Sequence, residues 1–263
     1  MNRTTVLLLV IFCSFATGCI PVSLASEPTP APTMTMTPSP EPSPTATVVW
    51  FPPTATVTPP PTLEISPTPD LLPEYGEVLF EDRFEAGEEW SLVSTANGTI
   101  ALGKDELTIV IPEEKAYMST LRSRPVVSNF YAEISAGPTL CSGQDEYGLL
   151  LRAASLADFY RFSLSCDGQV RMDRVVSGKA SSPQPWTMSG AYPPGAPSLS
   201  RIGVWASGSE MRFFINGIHQ FTVKDPYLNS GNLGVFARST GNHSLTVSFS
   251  DLVVYEIDRQ PVD

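Results

Sequence analysis

"DFYRFSLSCDGQVRM", residues 158–172, carries the fold in its alternation. Tyr160, Phe162, Leu164, Val170 and Met172 are apolar, while Arg161, Ser163, Ser165, Arg171 and Asp173 fall between them. A period of two belongs to strands with one face on a core. A two-residue Asp167-Gly168 turn would set Leu164 opposite Arg171 and bring a charge to the core side. A three-residue connection, Cys166-Asp167-Gly168, sets Leu164 opposite Val170 and Phe162 opposite Met172, with Gly168 at the left-handed bulge position such loops use. The stretch therefore predicts a bulged hairpin with a cysteine inside its loop.

The same signal recurs on both sides. "GEVLFEDRF", "ELTIVIP", "NFYAEISAG", "YGLLLRA", "SRIGVWAS", "NLGVFAR" and "LTVSFSDLVVYEI" all read as strands, separated by turn residues, and no segment shows a capped helical period. Many short strands at this spacing predict an all-β, two-sheet antiparallel sandwich or barrel over residues 74–258, long enough for one core. "EMRFFINGIHQF" offers two readings. A three-residue loop with Gly217 at the bulge puts Met211 and Phe213 on one side with His219, Phe221 and Val223; a two-residue Asn216-Gly217 turn is the alternative.

The N-terminal part is of another kind. Asn2-Arg3 and the apolar run from Val6 to Phe15 have the make-up of a signal peptide, too short to span a bilayer. "FATGC" then resembles the lipobox of bacterial lipoproteins, which implies a leader over residues 1–18 and lipidation of Cys19. A plain secretory signal and an uncleaved anchor are the alternatives. Residues 19–73 are rich in Pro, Thr and Ser, as in "TPAPTMTMTPSPEPSPTAT". Such a tract buries too little apolar surface to fold and favours extended polyproline II. It is expected to be a disordered stalk able to reach on the order of 100 Å; "VVWFPP" within it reads as a sticky spot or a short recognition segment. Residues 259–263 form a tail. The expected location is the outer face of a bacterial cell membrane, held by acyl chains alone.

Export sorts the four cysteines. Cys13 leaves with the leader, Cys19 takes the lipid, and Cys141 and Cys166 remain for a disulfide. The strand ends near Leu140, Tyr147 and Ser165 should lie at one end of an antiparallel meander, which suits that pairing. A metal or catalytic thiol lacks the C-x-x-C spacing, and His219 and His243 are the only histidines.

The order "YGLLLR…DFYRFSLSCDGQVRMDR", "PWTMSGAYPPG", "SRIGVWASGSEMRFFINGIHQF", "SGNLGVFA", "VSFSDLVVYE" resembles the bacterial extracytoplasmic domains of the concanavalin A-like, laminin G-like jelly-roll superfamily. It is most similar there to the group labelled 3-keto-disaccharide hydrolase-like. "VLFEDRFEAGEEW" is similar to that group's acidic-Phe-to-Trp opening through Asp82, Phe84 and Trp90. The resemblance covers nearly all of residues 74–258 and implies a jelly roll with a convex and a concave sheet. It departs at "PSLSR" and in the cysteine pair.

Site residues are harder to read. A glycosidase needs two carboxylates across the scissile bond. The E-x-D-x-E strand of jelly-roll endoglucanases is missing, Glu133 stands alone, and Asp105 and Glu106 are adjacent and so point to opposite faces of a strand. No Ser-His-Asp context, phosphate loop or zinc spacing is present. The acids from Glu74 to Glu89 read as a solvated first strand. The sharper alternative, drawn from jelly rolls of this kind, is structural calcium with Asp82 and Asp251 among its ligands. For sugar contacts the candidates are Trp186, Tyr192, Tyr147, Arg152 and Arg161. Trp186 and Tyr192 lead because "SSPQPWTMSGAYPPGAPS" reads as the least regular long loop of the domain. Tyr160 and Trp205 alternate like core residues, and Trp90 should seal the first strand.

Charge narrows the partners. The chain carries −11, and residues 74–258 hold 14 Lys/Arg against 22 Asp/Glu. Without a basic patch in the sequence, nucleic acid is not an expected partner. The leading expectation is a monomeric, non-catalytic jelly-roll module that binds a glycan. The alternatives are a glycoside or 3-keto-disaccharide hydrolase and a structural module binding envelope or extracellular proteins.

Overall fold

Alternation along the chain builds fifteen strands and one short 3-10 turn in the computed structural model, which describes residues 71, 74–112, 115–241 and 243–257. Nine strands form one sheet. Its order is β13 (Ile218–Lys224), β12 (Glu210–Ile215), β11 (Ser200–Ser207), β6 (Phe130–Leu140), β15 (Leu245–Glu256), β4 (Leu107–Ile111), β3 (Gly98–Leu102), β2 (Val93–Thr95). β1 (Val78–Asp82) also pairs with β15. The other sheet has six strands in the order β10 (Lys179–Met188), β9 (Gln169–Val176), β8 (Asp158–Ser165), β7 (Glu146–Ser155), β14 (Asn232–Arg238), β5 (Tyr117–Leu121). Every pairing is antiparallel, and the architecture is the expected all-β jelly-roll sandwich.

The inner faces interdigitate as alternation requires. Tyr160, Phe162 and Leu164 of β8 meet Met211 and Phe213 of β12 in one cluster, with Phe162 and Phe213 ring centroids 4.8 Å apart. Each such buried side chain stabilises the fold by roughly 1.5–3 kcal/mol relative to exposure. Trp90 joins this core next to Phe84, as expected of the residue that seals the first strand. A smaller cluster of Tyr131, Trp205, Phe214 and Ile257 lies on the outer face of the nine-stranded sheet. Tyr75 covers it, with ring centroids 4.7 Å from Tyr131 and 4.5 Å from Tyr255. Trp205 is thus buried, but on the far side of its sheet from the main core.

The β8–β9 hairpin has the expected register: Leu164 faces Val170 and Phe162 faces Met172. Gly168 takes φ +89°, the left-handed value its bulge position needs. In the β12–β13 hairpin the two-residue turn wins. Asn216 and Gly217 both have positive φ, Ile215 pairs with Ile218, and the register slips between Phe213 and Phe214. That slip keeps Met211 opposite Val223 and Phe213 opposite Phe221 in the core. It also corrects the placement of His219, which pairs with Phe214 on the outer face.

A second correction concerns residues 181–198, expected to be one irregular loop. Most of that stretch up to Met188 continues edge strand β10, so Trp186 sits on a strand. The leader over residues 1–18, Cys19, the stalk apart from Leu71, and the tail 259–263 lie outside the described residues.

Candidate functional site

The side chains that alternate away from the core on the six-stranded sheet would ordinarily face water. Here many are buried: Asp173 is 1% exposed, Glu146 2%, Arg161 8%, and Leu150, Phe236 and Ser163 are fully covered. Register lays them out in rows across the strands. Leu150 of β7, Arg161 of β8 and Asp173 of β9 form one row. Phe236, Gly148, Ser163 and Arg171 form the next, and Tyr117, Arg238 and Glu146 the third. Phe159, Val175, Leu150, Ala153 and Phe236 make a separate apolar cluster on this face.

Charges in neighbouring rows join into one network. Arg238 Nη1 lies 3.0 Å from Glu146 Oε1, and Arg171 Nη2 lies 2.9 Å from Glu146 Oε2. Arg171 Nε is 3.1 Å from Asp173 Oδ2, which also accepts from Arg161 Nη2 at 2.5 Å. Ser182 Oγ donates to Asp173 Oδ1 at 2.5 Å. Burial pulls the Arg161 guanidinium down, but Glu146 and Asp173 more than offset this and its pKa is raised. A buried charge with such partners is tolerated; the same charge alone would cost several kcal/mol, on the order of 3–5.

Aromatic rings frame the network. The Arg171 guanidinium lies 4.3 Å from the Trp186 ring centroid, and Arg161 lies 5.3 Å from Phe236 and 5.9 Å from Tyr117. Beside them opens a cleft of about 650 Å³, lined among others by Tyr117, Phe159, Arg161, Arg238 and Ser239. Such a volume suits a small ligand or one or two sugar rings. Burial pushes the Tyr117 hydroxyl pKa up, so it stays a neutral donor and acceptor.

Of the candidates read from sequence, Arg161 and Trp186 come together on this face. The other three do not. Tyr147 is 1% exposed in the main core. Tyr192 is buried as well, its hydroxyl 2.8 Å from Ser165 O and 2.7 Å from Gln169 O. It pins the loop after β10 onto the β8–β9 turn, where Gly195 N also donates to Cys166 O. Arg152 is fully buried at a bulge with φ +47°, bound to the carbonyls of Ser128, Gly208 and Leu228. Polar groups with their hydrogen bonds spent on the chain's own backbone are not available to a ligand.

The cysteine pair is joined: Cys141, after β6, and Cys166, in the β8–β9 turn, form a disulfide with Cα atoms 5.8 Å apart. The two metal candidates have partners of their own. Asp82 Oδ2 accepts from Trp90 Nε1 at 3.0 Å and from Arg122 Nε at 2.8 Å, while Oδ1 accepts from Phe84 N. Its carboxylate therefore ties the first strand to the core. Asp251 is exposed on β15 and accepts from Ser250 Oγ. Among the described residues no three His, Cys, Asp or Glu side chains gather in one place.

Sequence reasoning missed Glu146, Arg171, Asp173, Arg238, Tyr117 and Phe159 as parts of one site. The signal was present as polar residues at the outward positions of "DFYRFSLSCDGQVRMDR", but that pattern also describes an ordinary wet face.

No protein-family model matches the sequence, and no curated protein matches it significantly. Solved structures do match in fold. The carbohydrate binding module CBM66 from Bacillus subtilis is 16% identical with a TM-score of 0.51, covering 64% of this chain and 96% of its own. A protein of unknown function with a galectin-like fold from Bacillus subtilis is 12% identical with a TM-score of 0.55, covering 71% and 99%. LamAcat from Zobellia galactanivorans is 11% identical with a TM-score of 0.51, covering 69% and 98%. At these identities the likeness is one of fold.

Proposed function

We propose that this domain is a non-catalytic carbohydrate-binding module whose ligand lies on the outer face of the six-stranded sheet. The observation that carries the reading is a cleft of about 650 Å³ on that face, lined by Tyr117, Phe159, Arg161 and Arg238 among others, with the Arg171–Trp186 stack on the same face outside its lining. Sugars are recognised by ring faces stacking on aromatics and by planar donors bridging hydroxyls. A neighbour in fold is itself named a carbohydrate binding module, which supports the same reading. The lipobox-like "FATGC" and the Pro/Thr-rich tract complete it: a domain carried on a stalk from lipidated Cys19, at the outer face of a bacterial membrane.

A hydrolase is the second reading, favoured by Glu146 of β7 and Asp173 of β9 standing on the same face, on the two strands that flank β8. Each carboxylate is already engaged by two arginines, which leaves neither free to protonate a glycosidic oxygen. The deciding experiment is a glycan-panel screen of the purified chain, following tryptophan fluorescence for binding and reducing-sugar release for turnover. Binding without release is expected. Turnover abolished by Glu146→Gln or Asp173→Asn would replace this reading by the hydrolase; silence across the panel would replace it by a protein-binding module.

A further inference from the structure

The ion network on the outer face of the six-stranded sheet is uneven. Three guanidiniums, Arg161, Arg171 and Arg238, serve two carboxylates, Glu146 and Asp173. It is also layered by depth. The Glu146 and Asp173 side chains are 2% and 1% exposed, whereas the Arg238 side chain is 48% exposed. A ligand entering from solvent meets Arg238, and the acids lie beneath it.

The cleft follows the same pattern. Lys115, Arg161 and Arg238 line it, Tyr117, Ser239 and Thr240 add hydroxyls, and no carboxylate is among its described lining residues. Among the described residues this is a local reversal of charge, because residues 74–258 hold 22 Asp/Glu against 14 Lys/Arg. Arg and Lys side chains donate and do not accept. A neutral sugar would use such donors only through hydroxyl oxygens and would leave the excess charge uncompensated. A carboxylate or sulfate accepts two parallel N–H bonds from a guanidinium and supplies the missing negative charge.

Resting on the carbohydrate-binding reading, we infer that the cleft selects an acidic glycan, with a uronate carboxylate or a sulfate ester of the sugar seated against Arg238 beside Lys115. Tyr117, the exposed aromatic ring of the lining, takes the body of the sugar ring.

The test uses the whole chain and matched polymers in affinity electrophoresis: polygalacturonate and its methyl ester, chondroitin and chondroitin sulfate, and neutral dextran. Retention by the acidic polymers is expected, with none by the ester or dextran. It should fall with added salt and weaken about tenfold in Arg238→Gln, as loss of one charge-assisted contact predicts. Lys115→Gln, at an exposed position, gives a second variant, and thermal melts of both confirm that the fold is intact. Retention by chondroitin sulfate but not chondroitin would assign the sulfate; retention by both would assign the carboxylate. Equal retention by the methyl ester or dextran, or indifference to both variants, would overturn the acidic specificity and leave a neutral-glycan module standing. Retention by no polymer would overturn this inference together with the reading it rests on.

Discussion

The Arg171 guanidinium stacks 4.3 Å from the ring centroid of Trp186, while its nitrogens hold Glu146 and Asp173. One arginine thereby links the edge strand β10 to the charged centre of the six-stranded sheet. Trp186 is only half-buried, so one part of its ring remains open for contact.

Trp186→Ala is therefore expected to weaken glycan binding by about 2 kcal/mol, as loss of an aromatic anchor does. Its position on an edge strand limits the stability change to about 1 kcal/mol. Isothermal titration with the best ligand of the panel, set beside the thermal midpoint, separates the two effects. A fall in midpoint as large as the loss of affinity would make Trp186 a packing residue.

Arg161 and Asp173 form a pair that is 9% and 1% exposed at the side chain. Asp173→Leu leaves the buried Arg161 and the half-buried Arg171 without their shared counter-charge and is expected to cost about 3–5 kcal/mol. Adding Arg161→Met should restore part of that loss, because an apolar pair of similar volume carries no desolvation penalty. Urea unfolding of the two single variants and the double variant measures the coupling. Strict additivity would place the two side chains in separate environments.

The Cys141–Cys166 bridge closes a loop of 25 residues. Replacing both cysteines by alanine should lower stability by about 3 kcal/mol through the restored freedom of the unfolded chain. The same change should loosen the segment Ser189–Leu199, which leans on the Cys166 turn through Gly195 and Tyr192. Proteolysis within that segment reports the loosening directly. An unchanged cleavage rate would show that Tyr192 holds the loop unaided.

Alkaline pH should unfold the domain. Burial, with Asp225 beside it, pushes the Tyr160 hydroxyl up from 10.0 to about 12, and burial also raises Tyr131, Tyr147 and Tyr192. The folded state favours the neutral phenol. The stability this contributes is fully present below the unfolded value of 10.0 and is lost as pH rises through about 12. Tyrosinate absorbance and circular dichroism recorded together should change in one transition within that window. Ionisation of these four well before loss of the sheet signal would contradict their burial.

Much of the sandwich was legible because strand patterning is local. Tyr160, Phe162 and Leu164 alternate with polar neighbours in the bare sequence, and the same register places them on the core. Gly168 dictated its own bulge. The Asn216-Gly217 turn stayed open between two readings, since the deciding event was a register slip at Phe213 and Phe214, one strand away from the turn residues themselves. Trp186 and Tyr192 looked alike in a stretch rich in Pro and Ser. Pairing with β9 made the first an edge-strand residue, and packing against the Cys166 turn buried the second.

The sequence by itself determined that residues 74–258 form antiparallel strands on one core, because a period of two can bury only one side of each strand. It also singled out Cys141 and Cys166 as a pair within that stretch, and the two are joined. Tertiary structure alone decided the site, because Glu146, Arg161, Arg171, Asp173 and Arg238 come from four strands, β7, β8, β9 and β14. Their separation along the chain says nothing of their rows across the sheet. Strand order brings them to one face, where shared burial turns ordinary surface charges into a single network.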